Sequence, residues 1–147
     1  MSTETALVFD VEGNTIAIHE PPCRTGSFIP DSFNLYEVLW GNRHRLGGVA
    51  HTHPWYGPAW YSEEDRTTFS AVDLALGKRL VWVVVTFSEA VYYKWHGPGR
   101  YDYEPIGYEL AESEKEAFES DFAVDYKKFP LPEFRVTDTD KLRDMSR

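Results

Sequence analysis

The run Leu80-Val81-Trp82-Val83-Val84-Val85-Thr86-Phe87 constrains the fold of this chain more than any other stretch. A strand with one solvated face alternates apolar and polar residues, whereas this run is almost continuously apolar. It therefore predicts a central strand. Ala6-Leu7-Val8-Phe9 and Thr15-Ile16-Ala17-Ile18 flank Asp10-Val11-Glu12-Gly13-Asn14, which is a hairpin signal with Gly-Asn at the turn. Asp31-Ser32 offers an N-cap before Phe33, Leu35, Tyr36, Val38, Leu39 and Trp40, a mostly apolar helix ending near Gly41-Asn42. Leu46-Gly47-Gly48-Val49-Ala50 reads as a short buried strand. Ser62 opens a second helix with Phe69, Ala71, Val72, Leu74 and Ala75 expected on its buried face and Gly77 as its stop. Ala90 to Trp95 pairs back on the central strand after a turn at Ser88-Glu89. The order β-β-α-β-α-β-β predicts an α/β (α+β) sandwich with a mixed sheet.

Beyond His96 the pattern weakens. Leu110 to Phe122 reads as a charged surface helix, and Pro130-Leu131-Pro132 starts an extended tail. The expected organisation is one domain over residues 1–130 and an extended or flexible tail over 131–147, its last ten residues solvated. A chain of 147 residues suits one core. The formal net charge of −9, from 24 acidic and 15 basic residues, repels phosphate backbones, so nucleic acid is not an expected partner. The same charge favours a basic partner. Cys23 is the single cysteine, so no internal disulfide or thiolate zinc site can form, and a lone thiol fits a reducing cytoplasm. No signal-peptide pattern and no membrane-length apolar run is found, so a soluble, cytoplasmic protein without membrane contact is expected.

The chemistry concentrates at His51-Thr52-His53-Pro54, followed by Ser62-Glu63-Glu64-Asp65. On a strand, residues i and i+2 share a face, so His51 and His53 project together and Thr52 turns away. Two imidazoles and a carboxylate returning from the next helix make three ligands for a zinc ion, with a fourth position left for water or substrate, as in hydrolytic sites. A purely structural reading makes Ser62 to Asp65 a capping box, with Ser62 as N-cap and the N3 acid reaching back. That reading leaves both histidines idle, and it implies that Asp65 could not comfortably cap and ligate at once. Trp55, Tyr56, Trp60 and Tyr61 crowd the intervening loop, where they either clamp an extended peptide or pack on the domain. His19, His44 and His96 lack ligand-like neighbours.

At these residues the sequence resembles the JAMM metalloproteases, also called JAB or catalytic MPN domains, whose pattern is a distant Glu, His-x-His-Pro and Ser-x-x-Asp. Leu7-Val8-Phe9-Asp10, Ile16-Ala17-Ile18, Arg24-Thr25-Gly26, Pro30-Asp31 and Gly47-Gly48-Val49-Ala50 follow in the order of the RadC-like bacterial branch. The likeness spans residues 4 to 95. It implies a JAB/MPN-like mixed sheet sandwiched by helices, with a cytidine-deaminase-like architecture. It also implies zinc (Zn2+) held by His51, His53 and Asp65, and an oxyanion steadied by Ser62. The family's general base, a Glu at the start of the first strand, falls on Glu4, with Glu20 and Glu37 as the other candidates. The loop from Pro54 to Ser62 is one residue longer than the usual form, and Tyr61 stands where a proline commonly precedes the serine. Glu64 is thus a reserve ligand beside Asp65.

The function this implies is hydrolysis of an amide or isopeptide bond, with a ubiquitin-like protein or peptide as partner and Trp55, Tyr56 and Trp60 as substrate contacts. Two rivals are a non-catalytic MPN-like scaffold that binds partners and a RadC-like DNA-associated protein, the latter opposed by the acidic charge. A zinc deaminase is excluded because His-x-Glu and Pro-Cys-x-x-Cys are missing. An amidohydrolase barrel is excluded by length.

Overall fold

The computed structural model describes residues 4–19, 33–111 and 135–147. Among them six strands form one mixed sheet: β1 (Ala6–Asp10), β2 (Thr15–His19), β3 (Leu46–Thr52), β4 (Val81–Val85), β5 (Glu89–Trp95) and β6 (Tyr103–Leu110). Their spatial order is β2-β1-β3-β4-β5-β6. Three helices accompany them: α1 (Phe33–Gly41), α2 (Glu63–Leu76) and α3 (Thr139–Met145). Only β3 and β4 pair in parallel, which the crossover through α2 permits; every other neighbour is antiparallel.

The continuous apolarity of β4 has a direct cause, since every one of its residues is buried. Trp82 and Val84 join Leu39 of α1 and Phe69 of α2 in one core, while Val81, Val83 and Val85 face Val136 and Leu142 of the C-terminal segment in another. The sheet is therefore covered on both sides, as the run predicts. The expected hairpin, both expected helices and the strand order through β5 are present, with Gly13 at φ 90° in the first turn. Gly77, at φ 66°, caps α2 in the left-handed region that glycine adopts without strain. β5 begins at Glu89, inside the expected turn. No helix among the described residues is long and apolar enough to cross a membrane.

Three expectations are corrected. Ala71, Leu74 and Ala75 of α2 are exposed, and the helix instead buries Asp65, Phe69, Ser70 and Asp73. Hydrogen bonds explain this choice, because polar residues can be buried when each finds partners. Asp73 Oδ1 accepts from the Leu80 amide at 3.2 Å and Trp82 Nε1 at 3.1 Å, and its Oδ2 accepts from the Tyr103 hydroxyl at 2.7 Å. Ser70 Oγ accepts from Arg100 Nε at 2.9 Å. Second, β6 adds an edge strand where no pattern was legible. Its Pro105 lies opposite Tyr93 beside a register shift, at the sheet edge that tolerates a residue without an N–H.

Third, the tail expected to be extended is helical over Thr139–Met145, and its end is not solvated: Leu142, Arg143 and Ser146 are buried. Arg143 Nε donates to the Thr86 carbonyl at 2.7 Å, which anchors the helix beyond the end of β4. The residues expected to form a surface helix beyond Ala111, the Pro130–Pro132 segment, Cys23 and Glu20 lie outside the described residues.

Asp73→Ala would leave the Leu80 amide, the Trp82 indole and the Tyr103 hydroxyl without their acceptor inside the core. The expected loss of unfolding free energy is about 2–4 kcal/mol by urea titration, and a loss below about 0.5 kcal/mol would contradict this account.

Candidate metal centre

The register between β1 and β3 sets the site. Ala6 stands opposite His51, and the Thr52 amide donates to the Thr5 carbonyl at 3.0 Å. Continued by two residues, that register puts Thr5 across from Thr52 and Glu4 across from His53. With a side-chain period of two, Glu4, His51 and His53 then point to the face covered by α2, and Thr5 and Thr52 to the other. The His53 amide donates to the Val85 carbonyl at 2.9 Å, so this residue is held against β4 although it lies just past β3.

From the front, α2 brings in the fourth side chain. Ser62 is its N-cap, its Oγ accepting from the Asp65 amide at 3.0 Å while Asp65 Oδ2 accepts from the Ser62 amide at 2.9 Å. The same Oδ2 lies 2.9 Å from His53 Nε2, and Oδ1 lies 3.1 Å from His51 Nε2. Asp65 therefore closes the capping box and still contacts both imidazoles, so the cap leaves the carboxylate facing the histidines. A carboxylate oxygen has two lone pairs, so one bond to the cap amide does not exhaust it.

Glu4, His51, His53 and Asp65 are all buried, and each presents a potential ligand atom within 4.8 Å of the others. Both Glu4 carboxylate oxygens and His53 Nδ1 are buried without a hydrogen-bond partner. Buried polar atoms left unpaired cost about 1–3 kcal/mol each, so orphans gathered at one point need an explanation beyond packing. With both carboxylates ionised and both imidazoles neutral, the group carries two negative charges. That donor set fits a divalent cation, and the cluster could hold a metal ion.

The electrostatics show how strongly these groups feel one another. Burial pushes the Glu4 carboxyl up to about 8, the nearby His51 charge opposing and the Asp65 charge reinforcing the rise. Burial alone would also raise Asp65, but the His51 charge and the hydrogen bonds from the imidazoles outweigh it and hold the carboxyl well below the usual range. Burial works against a charged His51, yet Asp65 and then Glu4 raise its pKa. For His53 burial prevails over the Asp65 contact, and its pKa falls.

Among the other candidates, Glu37 is exposed on α1 and Glu64 is exposed in the first turn of α2, so neither joins the cluster. Trp55, Tyr56 and Trp60 are each exposed, at 41%, 60% and 52%. Trp55 is the nearest of these to the cluster, its ring centroid 4.6 Å from that of His53, and Tyr56 leans on Phe87. Tyr61 instead turns inward against Tyr93 and Phe69.

The loop carrying the exposed rings is tied down by its backbone. Gly57 donates to Ser88 Oγ at 2.9 Å and accepts from Thr86 Oγ1 at 2.8 Å; the Ala59 amide donates to Glu89 Oε2 at 3.0 Å and its carbonyl accepts from the Tyr93 hydroxyl at 2.7 Å. Sequence reading missed Glu89, a wholly buried carboxylate assigned there to a turn. No known protein family matches the chain, and no curated protein is significantly similar to it.

The raised pKa of Glu4 has a pH signature in the metal-free protein. Its folded value, about 8, exceeds the ordinary value of 4.5, so the folded state holds the proton more tightly. Its stabilisation is then complete below the ordinary value and declines as pH climbs towards the folded one. Glu4→Gln is expected to flatten this decline in melting temperature across that window. An unchanged slope would show that the carboxyl is not buried as described.

Proposed function

We propose that this chain is a zinc-dependent peptidase or isopeptidase of the JAMM type, acting on an amide bond at the C-terminus of a ubiquitin-like protein. One observation carries the reading: Glu4, at the far N-terminal end of the described chain, meets His51, His53 and Asp65 in one buried cluster with potential ligand atoms within 4.8 Å of one another. A JAB/MPN-like reading of the fold accords with the parallel β3–β4 pair joined through α2 and with the histidines at the end of β3.

Each residue then has a role that its surroundings suit. His51, His53 and Asp65 would hold the ion, and Asp65 is kept ionised by the imidazoles beside it. Zinc, when bound, supplies Lewis acidity that polarises a carbonyl and makes water nucleophilic near neutral pH. Glu4 would take a proton from the attacking water and return it to the leaving amine. Ser62 Oγ accepts the Asp65 amide, and that bond leaves its hydroxyl proton to steady the developing oxyanion. Trp55, Tyr56 and Trp60, exposed on a loop whose backbone is pinned, offer rigid contact area for an extended peptide tail. The net charge of −9 disfavours nucleic acid as substrate.

The test combines ion content with cleavage of a ubiquitin-like protein fused through its C-terminus to a reporter. The wild-type chain should take up about one zinc ion and release the reporter. His53→Ala should lose both ion and turnover. Glu4→Gln should still take up the ion at saturating zinc, with its affinity lowered about 10-fold or more by loss of the neighbouring carboxylate charge, and lose roughly 100-fold or more in kcat, the scale of general-base catalysis. Zinc uptake without cleavage of any such fusion would favour a partner-binding scaffold, and full turnover in His53→Ala would refute the hydrolytic reading.

A further inference from the structure

Thr52 separates the two histidines and points to the opposite side of the sheet, where no ligand role exists for it. It is nonetheless buried and fully engaged. Its Oγ1 accepts from the Thr5 amide at 2.9 Å, its own amide donates to the Thr5 carbonyl at 3.0 Å, and Oγ1 lies 2.6 Å from Ser146 Oγ. Thr5 precedes the strand proper and follows Glu4 directly. Ser146, itself wholly buried, is the C-cap residue of α3. That helix is fastened to the same end of the sheet by Arg143, which donates to the Thr86 carbonyl one residue beyond β4. At its far end, the Arg147 guanidinium lies 4.7 Å over the Phe87 ring.

We infer that Thr52 and Ser146 form a positioning device that holds the Glu4 carboxylate against the two histidines from behind the sheet. This rests on the metal reading of the site. The physical case begins with Glu4, which has no hydrogen bond of its own to orient it: both of its oxygens are orphaned. Its place is therefore set by its backbone, and that backbone lies before the first residue of β1, where a strand end frays unless it is tied. The side chain of Thr52 provides the tie by accepting the Thr5 amide, which extends the β1–β3 pairing past the point where the strand would otherwise stop.

Ser146 completes the device. A threonine hydroxyl in a buried setting can rotate among several partners, and the 2.6 Å contact with Ser146 Oγ fixes it towards Thr5. The C-terminal helix, whose Ser146 is 94 residues from Thr52 in sequence, thus reaches the candidate metal centre through two hydroxyls and one amide. Neither residue touches the ion or the substrate. Both are positioning residues.

The experiment uses the full chain and Co2+ alone, followed by its visible absorption, with thermal melts as the control for folding. The wild-type chain should bind Co2+ with a defined band. Thr52→Val keeps the shape and removes the hydroxyl; it should weaken Co2+ binding about 10-fold or more and broaden the band, as loss of an outer hydrogen-bond partner does in metal sites. Thr52→Ser, which restores the hydroxyl, should recover most of the affinity. Ser146→Ala should weaken binding in the same direction and by a smaller factor.

A purely structural role is separated from positioning by combining these changes with Glu4→Gln. If Thr52 acts through Glu4, then Thr52→Val added to Glu4→Gln should lower Co2+ affinity no further than Glu4→Gln alone. Equal effects with and without Glu4 would overturn the inference, as would Co2+ binding within twofold of wild type in folded Thr52→Val. Should Thr52→Val fail to fold, folded Ser146→Ala with wild-type affinity overturns it instead. Absence of Co2+ and zinc uptake by the wild-type chain would refute the metal reading itself, which is a different result from uptake that these variants leave unchanged.

Discussion

The pairing of β1 with β3 is the constraint on which the site depends. Side chains along a strand alternate between faces, so a slip of one residue in this register would carry Glu4 from the α2 side of the sheet to the α3 side. Close contacts hold β3 between its neighbours. A Cβ at Gly47 would lie 2.2 Å from the Asp10 carbonyl oxygen of β1, and one at Gly48 would lie 1.7 Å from the Val81 carbonyl oxygen of β4. Two adjacent glycines thus let the backbone approach on both sides at the start of the strand whose other end carries the histidines. The apolar pattern and these two approaches agree on one alignment, which is the kind of agreement that makes a register unique.

Asp65 joins the sheet to the helix in front of it. One carboxylate closes the N-terminal cap of α2 and contacts both imidazoles, so the start of the helix and the centre of the cluster form one structural unit. The Phe69 ring, one turn further along α2, lies 6.0 Å from His51 and stacks on Trp82 at 4.5 Å. The imidazole is thereby flanked by aromatic surface on one side and by carboxylates on the other. That combination strengthens electrostatic contacts among the four side chains, because the apolar wall lowers the local dielectric.

The back of the sheet matters as much as the front. α3 covers Val83 and Val85 with Leu142, and the hydroxyls of Thr52 and Ser146 meet beneath the histidine-bearing end of β3. The chain places its cluster of potential metal ligands on one face and the bonds that fix the underlying backbone on the other. Strand alternation makes this division of labour natural, since neighbouring residues in sequence are on opposite sides.

Much of the fold and the centre of the site is legible in the amino-acid order because both rest on local periodicity. The apolar run at 80–87, the hairpin glycine, the Ser62 cap and the Gly77 stop are short-range signals, and so is the shared face of His51 and His53. Other features are decided by partners remote in sequence, and no local window contains them. Asp73 and Ser70 occupy a buried face of α2 because Trp82, Tyr103 and Arg100 supply hydrogen bonds there. β6, with its proline and glycine, becomes a strand because β5 offers an edge to pair with. The seven residues of α3 have no apolar stripe to announce them, yet the helix forms and packs where Thr86 accepts Arg143 and Thr52 meets Ser146. Sequence by itself put both histidines on one face and named Asp65, with Glu64 in reserve, and Glu4, beside Glu20 and Glu37, as carboxylates that could join them; tertiary structure decided that Asp65 and Glu4 are the ones that do, because a strand register and a helix cap, not a spacing along the chain, carry those carboxylates to the histidines.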